Sequence, residues 1–442
     1  MKTDLRKFLP YSNKVGILEE KIEKYKKNYS RLWCKTEDEF PRFERIYSKR
    51  EQEKIEDEVF RFVDWASLKL DDYTPEKENH RQKIWLEDFV SEAKKFGKKT
   101  LELSDISLES VFKEGFMDST RMFVEKVKEF DPSLKTEEIY QALRNVWIMN
   151  SLQVYLNLDV KYLDSIFAYS MIYPYIDNYL DSTSEPIEKK ISFLKKMKHW
   201  LEGKEASYMN LQEEKIYRLI KIIEKQYHRC SFPGVYQSLL AIFNAQLKSL
   251  AQQRNECLPY EIDLLDLSLE KGGTSVLADG FLVNGLLEDK YADFCFGFGV
   301  FLQLADDIQD ITEDRENNHT TIFSQPAGRH NLDKLANKLF NFIAEVIDLK
   351  LDKKVENEKS LGELIIRNCY LLIMEAVGKN KAFYSQEYIK EIQRYFPIRF
   401  TRLKKLRKEI KEKILDKRKN VTDLDFISAF LLTLASRTIS GK

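Results

Sequence analysis

From Thr136 onward, apolar positions recur with helical period in long runs separated by short polar breaks. The pattern predicts helices over Thr136–Asn157, Leu163–Asp181 (kinked at Pro174), Ile187–Gly203, Leu211–His228 and Val235–Gln253. It continues over Tyr260–Leu287, Tyr291–Glu313, Leu332–Leu349, Leu361–Gly378 and Gln386–Tyr395. Ser231-Phe232-Pro233-Gly234 reads as a turn, Gly272-Gly273 as an interruption, and Glu316–Arg329 as a loop expected to be mobile. Upstream, charged amphipathic segments carry Phe40, Phe43, Tyr47, Phe60, Phe62 and Trp65, then a stripe of Trp85, Phe89 and Phe96. Core packing is the ordinary use of such aromatics. No strand-like alternation and no fixed-period repeat is present, so the expected class is all-α. Asp131-Pro132-Ser133 marks a boundary between a helical N-terminal extension, 1–130, and a main domain, 131–442.

Composition sharpens this picture. With only 15 Gly and 10 Pro in 442 residues, 43% of them hydrophobic, the chain suits helices better than a sandwich, a barrel or disorder. Lys+Arg and Asp+Glu balance at 72 each, so no global field recruits nucleic acid or an anionic membrane. The basic stretch Arg402–Arg418 is interleaved with Glu409, Glu412 and Asp416, as on a solvated helix face. Cys34, Cys230, Cys257, Cys295 and Cys369 lack CxxC spacing and read as reduced core residues. The start MKTDLRKFLPYSNK holds no signal-peptide run, and no uncharged stretch reaches the ~18–20 residues of a membrane span. The expectation is a soluble, cytoplasmic protein with no transmembrane segment and no nucleic-acid partner.

The chemistry concentrates in Phe301–Phe323. Four aspartates and a glutamate fall within nine residues there, inside an apolar, aromatic segment. On a helix, Asp306, Asp310 and Asp314 step round by about 40° each, forming one stripe; Gln303 and Asp307 lie on the same side. Such a stripe is costly to bury unless it protonates or binds a cation, and oxygen-only clusters suit hard divalent ions such as magnesium. A solvated acidic helix end is the plainer alternative. A second apolar segment, Tyr169–Ser182, ends in Asp177 and Asp181, one helical turn apart. Together they read as two walls of one pocket.

Two aspartate-rich motifs on helices of an all-α chain resemble the class I isoprenoid synthases: terpene synthases, prenyl diphosphate synthases and squalene/phytoene synthases. Asp177-Asn178-Tyr179-Leu180-Asp181 is similar to their first motif, DDxxD, with Asn second. The stretch Gln303–Asp314 is similar to the second, FQxxDDxxD, except that Leu302 stands for the Phe. It also matches the terpene-cyclase triad spacing with Asp306, Asp310 and Asp314 at the ligand positions. The resemblance covers about residues 136–330. It implies a helical bundle in which Asp177, Asp181, Asp306, Asp310 and Asp314 hold three magnesium ions and act as the catalytic set. It further implies that Arg144, Lys271 and Arg315 bind diphosphate. Lys271 precedes Gly272-Gly273-Thr274-Ser275, resembling a Lys-Thr motif whose glycines would open backbone amides toward an anion. Trp147, Phe167, Tyr173, Phe243, Phe281 and Phe298 are the pocket candidates, with Tyr173 as floor; core packing is the alternative for each.

Departures from the pattern narrow the reading. STSEPIEKK follows Asp181 without the Arg pair of chain-elongating enzymes, and Asn318-His319 stands near where they carry Gly-Lys. A second-substrate site is therefore not expected. The irregular first motif is similar to that of the bacterial large-terpene synthases. The expected activity is a magnesium-dependent terpene synthase that ionises one prenyl diphosphate and cyclises or quenches the cation. Its alternatives are a prenyltransferase joining two prenyl diphosphates and a non-catalytic homologue. The sequence leaves the oligomeric state open, a homodimer included.

Overall fold

The structure is a computed structural model that describes residues 17–71, 79–100, 114–181, 186–205, 207–208, 210–253, 262–351, 356–410 and 412–413. Among them are sixteen α-helices and no strand. These are α1 (Ile17–Lys35), α2 (Lys49–Asp71), α3 (Asn79–Lys99), α4 (Glu114–Phe130), α5 (Thr136–Tyr155), α6 (Asp164–Asp181), α7 (Ile187–Leu201) and α8 (Leu211–Gln226). There follow α9 (Pro233–Ser249), α10 (Leu264–Asn284), α11 (Asp289–Gln309), α12 (Ile311–Glu316), α13 (Asp333–Lys350), α14 (Glu356–Lys379), α15 (Gln386–Ile392) and α16 (Phe400–Ile410). No helix among the described residues is long and apolar enough to cross a membrane.

Local chemistry explains several helix ends. The Asn210 side chain accepts from the Glu213 amide, opening α8, and Asp263 accepts from Asp266 to open α10. α10 ends at Gly285, whose φ of +76° is a left-handed stop that other side chains resist. The turn expected at Ser231–Gly234 becomes the start of α9, with Pro233 in the first helical position, where a missing N–H costs nothing. α6 runs on through Pro174.

The core is organised around α10 and α11. Ser268 meets Asp307 at one end of the pair, and the sulfur of Cys295 lies against Gly280 toward the other, so the two helices run antiparallel. They touch at Gly272 and Gly299, where a β-carbon on either would strike the other's carbonyl oxygen. This corrects the expected interruption. Gly272 and Gly273 stay helical, because a bare backbone lets α11 and the Phe296 ring approach closely; their amides remain inside α10.

α10 is buried on nearly every side: α1, α5, α6 and α9 pack round it, while α13 and α14 cover α11. Residues before 131 share this core. Tyr29 of α1 donates to the Asp293 carbonyl at 2.8 Å, and its ring fills the space that Gly297 leaves. At the periphery α8 lies on α6, and α2 lies on α16. Cys295 and Cys369 are buried as expected, but Cys34 and Cys230 reach the surface, and Cys257 lies outside the described residues.

Candidate functional site

The acidic stripe does not sit on one unbroken helix. α11 stops at Gln309, Asp310 adopts a non-helical φ/ψ, and the short α12 begins at Ile311. The break is held from 70 residues downstream (380 minus 310), at the end of α14. There the Asn380 amide donates to the carbonyls of Ile308 (3.0 Å) and Gln309 (2.8 Å), and its own oxygen accepts from Thr312 at 3.0 Å. These bonds satisfy carbonyls that the broken helix leaves without partners. Lys379, next to Asn380, pairs with Asp310 at 3.1 Å. Neither residue is marked by any motif.

Four carboxylates meet here in different settings. Asp306 is exposed to water, yet the protein crowding it raises its carboxyl above the usual range; the Asp310 charge adds to this, and Lys271 and Arg144 oppose it. Asp306 is thus reached by water on one side and crowded by protein on the other. Asp307 is buried and accepts from Gln303 (2.8 Å) and Ser268 (2.9 Å). Burial raises its pKa, as does the Asp314 charge. Asp314 is raised chiefly by burial and lies 3.4 Å from His319 Nδ1. The sequence reading places Asp307 on the side of the stripe without giving it a role, notes His319 only as a departure from the family pattern, and does not single out Ser268.

The cations come from other helices. Lys271, half-buried on α10, is felt at both Asp306 and Asp314, and Arg144, exposed on α5, at Asp306. Arg315 is engaged elsewhere. Its guanidinium donates to the Ala327 carbonyl and lies 5.4 Å from the centre of the Phe383 ring, fastening the loop that follows α12. That loop is packed rather than loose. Phe323 within it is fully buried, Thr321 and Ser324 cap each other, and the Thr320 amide donates to the Gln252 carbonyl at 3.0 Å.

Asp177 and Asp181 belong to the last turn of α6, but their side chains lie outside the described residues. Their helix is tied to that of Lys271 by Tyr173, whose hydroxyl is 3.5 Å from Ser275. The donor set suits a hard cation, being all carboxylate oxygen. Among the described residues, which leave out the Asp177 and Asp181 side chains, no group of three or more His, Cys, Asp and Glu is arranged to hold a metal ion.

The six pocket candidates divide. Tyr173 and Phe243 line one cavity between α6, α7, α8 and α9, together with Tyr169, Met197 and Gln246. Its volume is about 30 Å³, room for roughly one water. The other four do not border it. Trp147 donates to Thr120 at 3.3 Å, Phe167 packs between Phe123 and Phe130, Phe281 covers Gly234, and Phe298 stacks between Phe294 and Phe301.

Comparison with protein-family models, curated proteins and solved structures finds no match to this chain.

Proposed function

We propose that the chain is a magnesium-dependent class I isoprenoid synthase of the terpene-synthase kind. It would ionise an allylic prenyl diphosphate, cyclise or quench the carbocation and release diphosphate, a carbon–oxygen lyase. One observation carries this reading. A carboxylate recess on α11 and α12 is faced by Lys271 of α10 and Arg144 of α5, and Tyr173 ties α10 to the helix of Asp177 and Asp181. Bound magnesium would supply Lewis-acid neutralisation of the departing diphosphate. Asp306, Asp310 and Asp314 on one wall and Asp177 and Asp181 on the other would hold it. Lys271 and Arg144 would bind diphosphate oxygens, with charge already present where the leaving group gains it. Tyr173 and Phe243 would line the dry end, where ring faces stabilise a cation. Arg315 serves the loop and is left out of this set.

A second reading has its own support. The cavity beside Tyr173 holds about 30 Å³, too little for a prenyl chain without movement of α6 or α7, which favours a non-catalytic helical protein. Diphosphate release from a series of allylic prenyl diphosphates, with magnesium or with EDTA, separates the readings. Magnesium-dependent release with a hydrocarbon or alcohol product supports the synthase. Release only when a second prenyl substrate is added moves the chain to the prenyltransferases. No release with any substrate favours the non-catalytic protein.

A further inference from the structure

Four side chains of alternating charge run from the C-terminal helix to the acidic recess. Arg407 on α16 bonds to Glu375 Oε1 on α14, Lys379 lies one turn after Glu375, and Lys379 pairs with Asp310 at 3.1 Å. Burial pushes the Glu375 carboxyl up to about 8, and the Arg407 and Lys379 charges oppose that rise. Glu375 is the anomaly. Its side chain is 2% exposed, and Oε2 has no hydrogen-bond partner among the described residues. Arg407 Nε is likewise buried without a partner. A half-satisfied buried ion pair contributes little to stability, because each ion's desolvation offsets its attraction. It leaves, however, an open acceptor one helical turn from a lysine that already holds an acid of the recess.

We propose that Glu375 is the second seat of Lys379: a divalent cation arriving at the recess displaces Lys379 from Asp310, and the ammonium moves to Glu375 Oε2. This rests on the reading of the recess as a cation site. Lys379 then competes with the cation, while Glu375 favours binding by accepting what the cation displaces. The two side chains, neighbours on one helix, act with opposite sign. A merely structural role for Glu375 would not give that signature.

The test is Mn²⁺ affinity of the full chain, read from the free-ion paramagnetic resonance signal, for the unchanged protein and three variants. Lys379→Gln should bind Mn²⁺ on the order of tenfold more tightly, and Glu375→Gln more weakly by a similar factor. Combined with Lys379→Gln, Glu375→Gln should have no further effect. Equal weakening by Glu375→Gln in both backgrounds would show that it acts by another route and overturn the proposal, as would a Lys379→Gln variant that binds no tighter. Absence of Mn²⁺ binding by the unchanged chain would overturn this proposal and the cation site together. Binding that survives Asp306→Ala unchanged would remove the site on which the proposal rests. A measurement on the unsubstituted side chains guards against a Glu375 variant that fails to fold. With lysines ¹³C-methylated, the Lys379 resonance should move on adding Mg²⁺, and a resonance that stays in place while Mg²⁺ binds overturns the exchange.

Discussion

The two ends of the α10–α11 pair treat buried acid in opposite ways. At one end, Asp307 and Asp314 are raised by burial and Asp306 by the protein crowding it, but they are answered by Lys271, Arg144 and His319, with Lys379 on Asp310. At the other, Asp279 lies on the same helix as Lys271, about 12 Å along it, fully buried between α5 and α6. Burial pushes its pKa up to about 8, opposed by the Asn145 amide at 3.3 Å, and Oδ2 has no partner among the described residues. The first set can ionise, because the compensating charge is in place. Asp279 keeps its proton at neutral pH because no such compensation shapes its shift. A raised acid alone is therefore no sign of a site; the cations around it are.

The sharpest way to break the comparison is to remove a carboxylate at the charged end. Asp306→Ala or Asp310→Ala should abolish magnesium-dependent diphosphate release, by about 10³-fold or more. Thermal stability should stay within about 1 kcal/mol, since Asp306 faces solvent and removing it lessens repulsion at Asp310. Full activity in either variant would refute the cation assignment. The crossing between the two ends should respond differently. Gly272→Val drives a side chain into the Gly299 carbonyl and the Gln303 β-carbon, on backbone that cannot yield cheaply. Denaturant unfolding should show a loss of about 3 kcal/mol. A neutral result would mean that the helices separate there at little cost.

How far the sequence was legible follows the same division. Helices were readable because apolar periodicity is local, and the predicted spans agree with α5 to α15 nearly everywhere. Long-range contacts were not readable. The break at Asp310 depends on Asn380, and the ion pair at Asp310 on Lys379, both far along the chain with no local signature. Gly272-Gly273 was misread as a gap because glycine permits both an opened backbone and a close approach, and only the facing Gly299 decides between them. Aromatic letters carried the least. Phe167 and Phe281 look like pocket residues in a linear text, but packing consumes them and leaves Tyr173 and Phe243 on the cavity.

The dry end can be sharpened through pH. Asp279 holds its proton in the folded chain up to about pH 8 but releases it near its usual 3.8 when unfolded. Between those values the folded state binds the extra proton, so its contribution to stability falls as pH rises through the window and levels off above it. Asp279→Asn should remove that slope, gaining on the unchanged chain by up to about 1.4 kcal/mol per pH unit, or about 4 kcal/mol between pH 5 and pH 8. Parallel stability curves for the two proteins would show that Asp279 is ionised in the fold.

The smallest expected effect makes the charged end more like the dry one. Lys271→Met removes a cation felt at both Asp306 and Asp314 while keeping the side chain's length and its half-buried stem. The Asp306 carboxyl should titrate at higher pH, because the lysine's opposing charge is lost while crowding and the Asp310 charge remain. Stability at neutral pH should change by less than about 1 kcal/mol, since Arg144 still faces Asp306 and water still reaches it. Carboxyl ¹³C titration reads the first effect and denaturant unfolding the second. If Asp306 titrates unchanged, Lys271 is not part of its field, and the recess loses the cation that most distinguishes it from the surroundings of Asp279.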